Sequence, residues 1–155
     1  MLHPSSQAVG DILAAAGLSG RVRMLDRPAP TAAAAAEQVG CPIGAIANSL
    51  VFASADDEPV LIMTSGAHRV DLDRVRRSYG LDLHRAPADF VRAHTSQPIG
   101  GVAPVGHPAP IRTLVDRALA AYDPLWAAGG IPHAVFPVSY PDLVLLTNGT
   151  EADVA

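Results

Sequence analysis

The chain has 155 residues, which is the size of one domain with a sizeable hydrophobic core. Hydrophobic residues make up 49% and charged residues 17%, a balance that indicates a compact globule and excludes a disordered chain. The formal net charge of −4 argues against a protein that wraps nucleic acid over a broad basic surface, and DNA is not an expected ligand.

Three further features of the sequence indicate where the chain works. The longest apolar runs, such as residues 143–146, are far too short to span a membrane. The first residues lack the basic and apolar regions of a secretion signal. A single cysteine, Cys41, leaves no internal disulfide framework. We therefore expect one domain over residues 1–155 in a reducing cytoplasm.

The first half of the chain predicts two helices, an edge strand and a hairpin. In chain order these elements are a helix at 5–16, an edge strand at 21–25, a helix at 31–39 and strands at 46–53 and 59–64. Ser5 or Ser6 is the predicted cap of the first helix, and Thr31 is the predicted cap of the second. The polar segment 54–58 predicts the turn of the hairpin.

The second half mixes short strands and helices. In chain order we expect a helix at 71–79, a strand at 81–85, a helix at 87–94, a strand at 111–115, a helix at 116–122, strands at 125–128 and 134–138, and a helix at 141–147. Asp71 and Asp116 are predicted caps, and Pro87 is typical of a first helical turn. Because strands and helices do not alternate regularly, the order predicts an α+β domain with a mixed or antiparallel sheet.

Residues 100–107 form the most distinctive segment, which reads Gly-Gly-Val-Ala-Pro-Val-Gly-His. The glycine pair lets backbone approach a ligand closely, because no Cβ atom stands in the way. Pro104 removes one N–H group and stiffens the loop, and His107 places a titratable imidazole at its end. The segment predicts a rigid cradle for a small polar group, although the same composition is typical of a plain surface loop.

Three other segments accompany this loop. They read Val-Gly-Cys-Pro-Ile-Gly-Ala-Ile-Ala-Asn-Ser-Leu-Val-Phe at 39–52, His-Arg-Val-Asp-Leu at 68–72 and Trp-Ala-Ala-Gly-Gly at 126–130. In this order and spacing, the four segments resemble the YbaK/EbsC family of aminoacyl-tRNA deacylases, which includes the editing insertion domain of bacterial prolyl-tRNA synthetase. The resemblance runs from about Thr31 to Asp142. It implies a curved mixed or antiparallel sheet with flanking helices around a cleft for a small ligand.

The resemblance also implies a reaction, the hydrolysis of the ester that joins a wrongly attached amino acid to the 3′ end of a tRNA. Gly100 and Gly101 would present backbone N–H groups to the oxyanion that forms during this hydrolysis. His107, the third predicted catalytic residue, would govern the size of the amino acid more than the chemistry. The expected substrate-binding residues are Asn48, Val102 and Pro104. We expect Gly101→Val to abolish activity with little loss of stability.

The chain departs from the family at Asn48. The family motif reads Lys-Ser/Thr-Leu-Val-Phe, whereas this chain reads Asn-Ser-Leu-Val-Phe at 48–52 and has no lysine among its 11 basic residues. An amide carries no charge and cannot act as a base. Two alternatives therefore stay open: a non-catalytic binding module for aminoacyl-tRNA ends or small molecules, and a hydrolase of another small ester or amide.

The remaining polar residues indicate no cofactor. The histidines are too scattered for a metal-ligand motif, so we expect neither a metal nor an organic cofactor. Cys41 has no predicted base beside it and is interpreted as a small hydrophobic residue. Arginines between Arg69 and Arg92 alternate with aspartates, which predicts a solvated helix face or a patch that contacts tRNA. The expected partners are the 3′ end of an aminoacyl-tRNA and, as a further candidate, an aminoacyl-tRNA synthetase.

Overall fold

The computed structural model describes residues 2–18 and 21–155. Within these residues the α-helices are α1 (Pro4–Ala15), α2 (Ala32–Val39), α3 (Leu72–Tyr79), α4 (Ala88–Thr95) and α5 (Tyr140–Thr147). The strands are β1 (Arg23–Met24), β2 (Ile46–Ser54), β3 (Pro59–Ser65), β4 (Leu83–Arg85), β5 (Arg112–Asp116), β6 (Leu125–Ala128), β7 (Ala134–Val138) and β8 (Thr150–Ala152). None of the described helices has the length and apolar character needed to cross a membrane.

Polar side chains and glycines set the ends of the helices as the sequence predicts. Thr31 and Asp71 each accept a hydrogen bond from the backbone N–H group three residues further on, which satisfies a free donor at the start of α2 and α3. Gly40 and Gly80 end the same two helices in the left-handed conformation that glycine adopts without steric cost.

Three predictions about the starts of helices need correction. His3 caps α1, because its Nδ1 accepts the N–H of Ser5 at 3.1 Å, so the prediction of Ser5 or Ser6 as the cap is wrong. Pro87 lies before the first turn of α4 and not within it. Asp116 caps a short 3-10 helix at Arg117–Ala121, where an α-helix was expected.

The strands form one mixed sheet in the order β1-β7-β6-β2-β3-β5-β8, and β4 also pairs with β2. The pairs of β2 with β6, β3 with β5, and β5 with β8 are parallel, whereas the other pairs are antiparallel. The predicted α+β fold with a mixed sheet is therefore confirmed. The edge strand β8 was not predicted, because it is only three residues long and two of them are exposed. One domain over residues 1–155 stays a prediction.

Strand β2 has one edge that is only partly paired. Its other edge pairs continuously with β3, from Ala47 to Ala53. On the partly paired edge, β6 pairs with Ile46 and Ala47, and β4 pairs with Phe52–Ser54. Residues 48–51 consequently face no strand of the described chain on that side, and we call this stretch the β2 gap.

Helices cover both faces of the sheet. Leu13 of α1 and Leu143 of α5 are buried in a cluster that also holds Ala47 of β2. Val75 of α3 is buried in a second cluster, which holds Phe52 on the opposite face of β2. A third cluster joins α2 to the neighbouring end of the sheet. Because side chains alternate along a strand, Asn48 lies on the same face as Phe52, the face that α3 covers.

Candidate functional site

A cleft of about 570 Å³ opens beside the β2 gap, within the size range of ligand-binding pockets. Its walls come from β2, from the start of α2, from the segment that follows β3 and from the loop after α4. The polar and loop residues that line it include Asn48, Ser49, Val51, Thr64, His68, Arg69, Arg85, Gly100, Val102 and Trp126.

Two polar side chains lie next to each other on the cleft wall. Asn48 of β2 is directly opposite Thr64 of β3 in the antiparallel register. Side chains of such cross-strand partners are immediate neighbours on one face of the sheet. The Asn48 amide makes no hydrogen bond within the described part of the chain, so its donor and acceptor groups are available to a ligand.

On the buried side of this polar pair, Asp116 accepts several hydrogen bonds. Its carboxylate is only 3% exposed and accepts hydrogen bonds from Thr64 Oγ1 at 3.2 Å, from the Ser65 N–H at 2.9 Å and from the Ala118 N–H at 3.0 Å. The ring of His68 makes a further short contact with the same carboxylate through Nε2. Asn48, Thr64, Asp116 and His68 therefore form one continuous polar cluster that ends in the cleft.

The β2 gap also presents main-chain groups to the cleft. Ile46 and Ser54 bond to the β3 side of β2, through Gly66 and Glu58 respectively. Because bonding groups alternate between the two edges of a strand, those of Ser49 and Val51 point into the gap. Neither β4 nor β6 extends far enough to satisfy the N–H groups of these two residues or the C=O group of Ser49. A ligand in the cleft meets a short, open strand edge.

The charge of the cleft differs from that of the whole chain. None of the described residues that line it is acidic, although the chain carries a formal net charge of −4. Arg69 and Arg85 line the cleft, and neither forms a salt bridge within residues 2–18 and 21–155. The arrangement favours an anionic ligand.

The loop after α4 is fixed by a buried glutamine. The Gln97 side chain accepts the Ala103 N–H at 2.8 Å and donates to the Val105 carbonyl at 3.2 Å, and Gln97 is only 2% exposed. Gly100 has a φ of +87°, which favours glycine, and a Cβ atom at this position would touch Pro30. The loop therefore holds Gly100 and Val102 against the cleft.

Gly101 has a packing role that the sequence did not reveal. A Cβ atom at this position would lie 2.5 Å from the Cα atom of Ile131, so the expectation that Gly101→Val costs little stability is wrong. The N–H of Gly101 donates to the Pro98 carbonyl at 3.0 Å and is not free to bind an oxyanion in this structure. The Gly100 N–H makes no hydrogen bond within the described part of the chain.

The structure brings together only part of the predicted site. Gly100, Val102 and Asn48 line the cleft, whereas Gly101, Pro104 and His107 do not. The Nε2 atom of His107 bonds to the Ala103 carbonyl at 2.8 Å, and burial lowers the pKa of this histidine from its usual 6.5. His107 thus faces its own loop.

Two other residues of the sequence motifs, Cys41 and Trp126, pack against the hydrophobic cluster beside α2. Cys41 packs at the edge of the α2 cluster, and burial raises the pKa of its thiol, which lowers the fraction of reactive thiolate. Trp126 packs against the same cluster and also lines the cleft, and the guanidinium of Arg23 lies 5.2 Å from its ring centroid. No group of three His, Cys, Asp or Glu residues in the described ranges could hold a metal ion.

Sequence reasoning missed His68 and Asp116. They are 48 positions apart in the chain, so no local motif joins them. Each residue does lie at or just after the end of a strand: Asp116 ends β5, and His68 follows closely after the end of β3. Because β3 and β5 are parallel, their carboxyl ends lie at the same edge of the sheet, but this pairing cannot be read from the sequence.

The family of the chain follows from comparison with known proteins. The fold and cleft are those of an aminoacyl-tRNA editing domain, and the model of that family matches residues 26–146. The chain belongs to this family, and the resemblance drawn from its sequence motifs is confirmed.

Known relatives cover most of the chain. It is 37% identical to a protein of known structure that has been proposed to be a trans-editing enzyme for prolyl-tRNA synthetase, with a TM-score of 0.92 over 99% of this chain and 98% of that one. The hypothetical protein APE2540 has a TM-score of 0.87 at 28% identity, over 95% of this chain and 98% of that chain. The uncharacterized protein YwhH of Bacillus subtilis (strain 168) is 27% identical over 109 residues, which are 70% of this chain and 69% of that relative.

Proposed function

We propose that the protein hydrolyses the ester between a wrongly attached amino acid and the 3′ end of a tRNA, acting as a separate editing enzyme. The observation that carries this proposal is a cleft whose two arginines and several main-chain N–H groups have no partner among the described residues, in a member of the aminoacyl-tRNA editing family. The tRNA end is anionic, and the ester carbonyl becomes anionic during hydrolysis, so both parts of the substrate need such groups.

Arg69 and Arg85 are the proposed contacts to the phosphates of the tRNA end. The resemblance places a lysine at position 48, where this chain has a neutral amide. The two arginines on the cleft wall, which form no salt bridge with any described residue, supply positive charge that Asn48 cannot. A guanidinium also binds phosphate through two parallel hydrogen bonds, which a lysine cannot do.

Free N–H groups near the ester are the proposed oxyanion donors. Gly100 and the β2 gap each provide main-chain N–H groups without a partner among the described residues. Such preorganised donors typically contribute about 3–4 kcal/mol each to the stabilisation of a transition state. Asn48 and Val102 then complete the substrate-binding wall, and Gly101 and Pro104 shape the loop.

The identity of the substrate tRNA is a separate part of the proposal. Because the 37% identical relative has been proposed to act for prolyl-tRNA synthetase, tRNAs mischarged by that synthetase are the first substrates to test, and this synthetase is the candidate partner. A non-catalytic binding module is the weaker alternative, since the matching family model is that of an editing domain.

The test is release of amino acid from a panel of mischarged tRNAs, which begins with proline tRNA that carries amino acids other than proline. We expect hydrolysis of at least one member, whereas binding without release would favour the alternative. Arg69→Gln and Arg85→Gln should each lower the slope of log affinity against log salt by about one unit for every phosphate that the variant no longer neutralises. Arg112→Gln on β5, outside the cleft, is the matched control.

A further inference from the structure

His68 is an imidazole of the cleft that neither binds phosphate nor holds the oxyanion in the proposed function. It lines the cleft beside Arg69 and also a smaller neighbouring pocket that holds Asp116. Its side chain is 31% exposed. His107, the imidazole that the sequence favoured, lies outside the cleft.

The hydrogen bonds of Asp116 determine which nitrogen of His68 is free. This carboxylate already accepts hydrogen bonds from Thr64 and Ser65 at one oxygen and from Ala118 at the other. Because both carboxylate oxygens already act as acceptors, we assign Nε2–H of His68 as a further donor to Asp116. In the neutral ring Nδ1 is then an acceptor without a proton, and it has no partner among the described residues.

Two arginines of the smaller pocket near His68 have hydrogen-bond partners other than the His68 ring. In the smaller pocket Arg117 bonds to Asp153 at 2.9 Å, and Arg74 bonds to the main-chain oxygen of Ala155. Arg69, the next residue along the chain, lines the cleft. Asp116 is therefore the one described charge that bonds directly to the ring.

We propose that His68, held by Asp116, is the general base that activates water for ester hydrolysis in the cleft; this inference rests on the proposed function. A positioned base of this kind typically accelerates a reaction by about 10²–10⁴-fold. Asp116 is a positioning residue, which fixes the tautomer and stabilises the imidazolium that forms.

In the proposed reaction, one proton moves from water to His68 and then from His68 to the leaving ribose oxygen. Nδ1 takes a proton from water while the water oxygen bonds to the ester carbonyl carbon, which gives a tetrahedral oxyanion held by main-chain N–H groups. When the intermediate collapses, the bond from this carbon to the ribose oxygen breaks. The departing oxygen takes the proton from the imidazolium. The products are a free amino acid and a tRNA with an intact 3′-terminal hydroxyl group.

The first test is the pH profile of deacylation with a tRNA that the parent protein hydrolyses. In the parent, the rate should fall on the acidic side, because an imidazolium cannot take a proton from water. His68→Ala should lower kcat by about 10²-fold or more and remove this acidic limb. Added imidazole should restore part of the rate, because the truncated side chain leaves space beside the cleft. His94→Ala, outside the cleft, is the matched control and should keep the parent profile.

A second measurement does not depend on activity. Nitrogen NMR of the parent should show a neutral His68 ring with the proton on Nε2, and the opposite tautomer would overturn the proposal. An active parent whose His68→Ala variant keeps its rate and pH profile would also overturn it, while leaving the proposed function intact. A parent that deacylates none of the tRNAs would contradict both proposals.

Discussion

In the loop after α4, neighbouring glycines differ in whether they line the cleft or pack against the backbone. Gly100 and Gly101 are adjacent, yet one lines the cleft and the other packs against the backbone at Ile131. The sequence predicts that glycine is needed at both positions, but it cannot distinguish close approach to a ligand from close approach to another part of the chain.

Gly101→Ala should destabilise the fold by about 2 kcal/mol, because overpacking against a rigid backbone typically costs about 1–3 kcal/mol. In a chain of this size, that cost corresponds to a fall of about 4–8 °C in melting temperature. Gly10→Ala adds the same atom within α1, where the nearest described atom would be 3.9 Å away, and should not lower the melting temperature. Equal melting temperatures for the two variants would contradict the packing role.

Asn48→Lys should steepen the salt dependence of tRNA binding by about one unit, provided that position 48 faces a phosphate. The Asn48 amide has no partner among the described residues, so the substitution breaks no internal hydrogen bond there. The deacylation rate should rise if the missing cation limits it. Thr150→Lys on β8 adds the same charge away from the cleft and should change neither quantity. Unchanged binding in Asn48→Lys would show that position 48 does not face a phosphate, and unchanged binding and rate in Asn48→Ala would show that the residue is structural.

At the level of elements, local signals predicted most helices and strands. Thr31, Asp71 and the glycines that follow their helices gave the bounds of α2 and α3 closely, because caps act within a few residues. The hairpin of β2 and β3 followed from a polar turn between apolar strands. The β2 gap could not be predicted, since it depends on where β4 and β6 stop against the same edge.

The two hydrogen bonds of the buried Gln97 side chain should stabilise the loop after α4. Gln97→Leu should destabilise the protein by about 2 kcal/mol or more, because it leaves a buried donor and a buried acceptor unpaired. Gln38 makes the same pair of bonds to the N–H and C=O of Arg27, at 3.2 and 2.9 Å, but in an exposed position. Gln38→Leu should therefore cost less, since water replaces the missing partners. Urea unfolding of both variants gives the comparison, and equal costs would contradict it.

Hydrogen exchange tests the open edge of β2. In the free protein the amides of Ser49 and Val51 should exchange faster than those of Leu50 and Phe52, which bond to β3. An adenosine that carries an amino acid through a stable 3′-amide should slow Ser49 and Val51 and leave Leu50 unchanged. Slow exchange of Ser49 in the free protein would show that another group already fills the gap.

The net charge of the whole chain and the charge of the described cleft wall have opposite signs. The formal net charge of −4 correctly argues against a broad basic surface, yet the described cleft wall contains two arginines and no acidic residue. The sequence predicted an arginine-rich segment, but only the fold separates Arg69 and Arg85 from the aspartates between them. Electrostatic attraction of the tRNA end therefore depends on the charges around the cleft and not on the net charge of the chain.

Stability should depend on pH through His107. Burial lowers the pKa of this residue in the folded state, so its contribution to stability is complete above pH 6.5 and is lost as pH falls through the lower folded-state pKa. His107→Gln can still donate to the Ala103 carbonyl but does not titrate. The free energy of unfolding of the parent, relative to this variant, should thus decrease between pH 8 and pH 5. A constant difference over that range would contradict the burial effect.

The β2 gap gives the cleft a length that can change only in steps. Residues 48–51 are unpaired between β6 and β4, which corresponds to about 13 Å of extended chain. Because the bonding groups of a strand alternate between its edges, lengthening β4 or β6 would close the opening by one pair of residues at a time. We therefore expect a longer or shorter cleft in a relative to reflect whole increments of strand pairing, and not only the bulk of individual side chains.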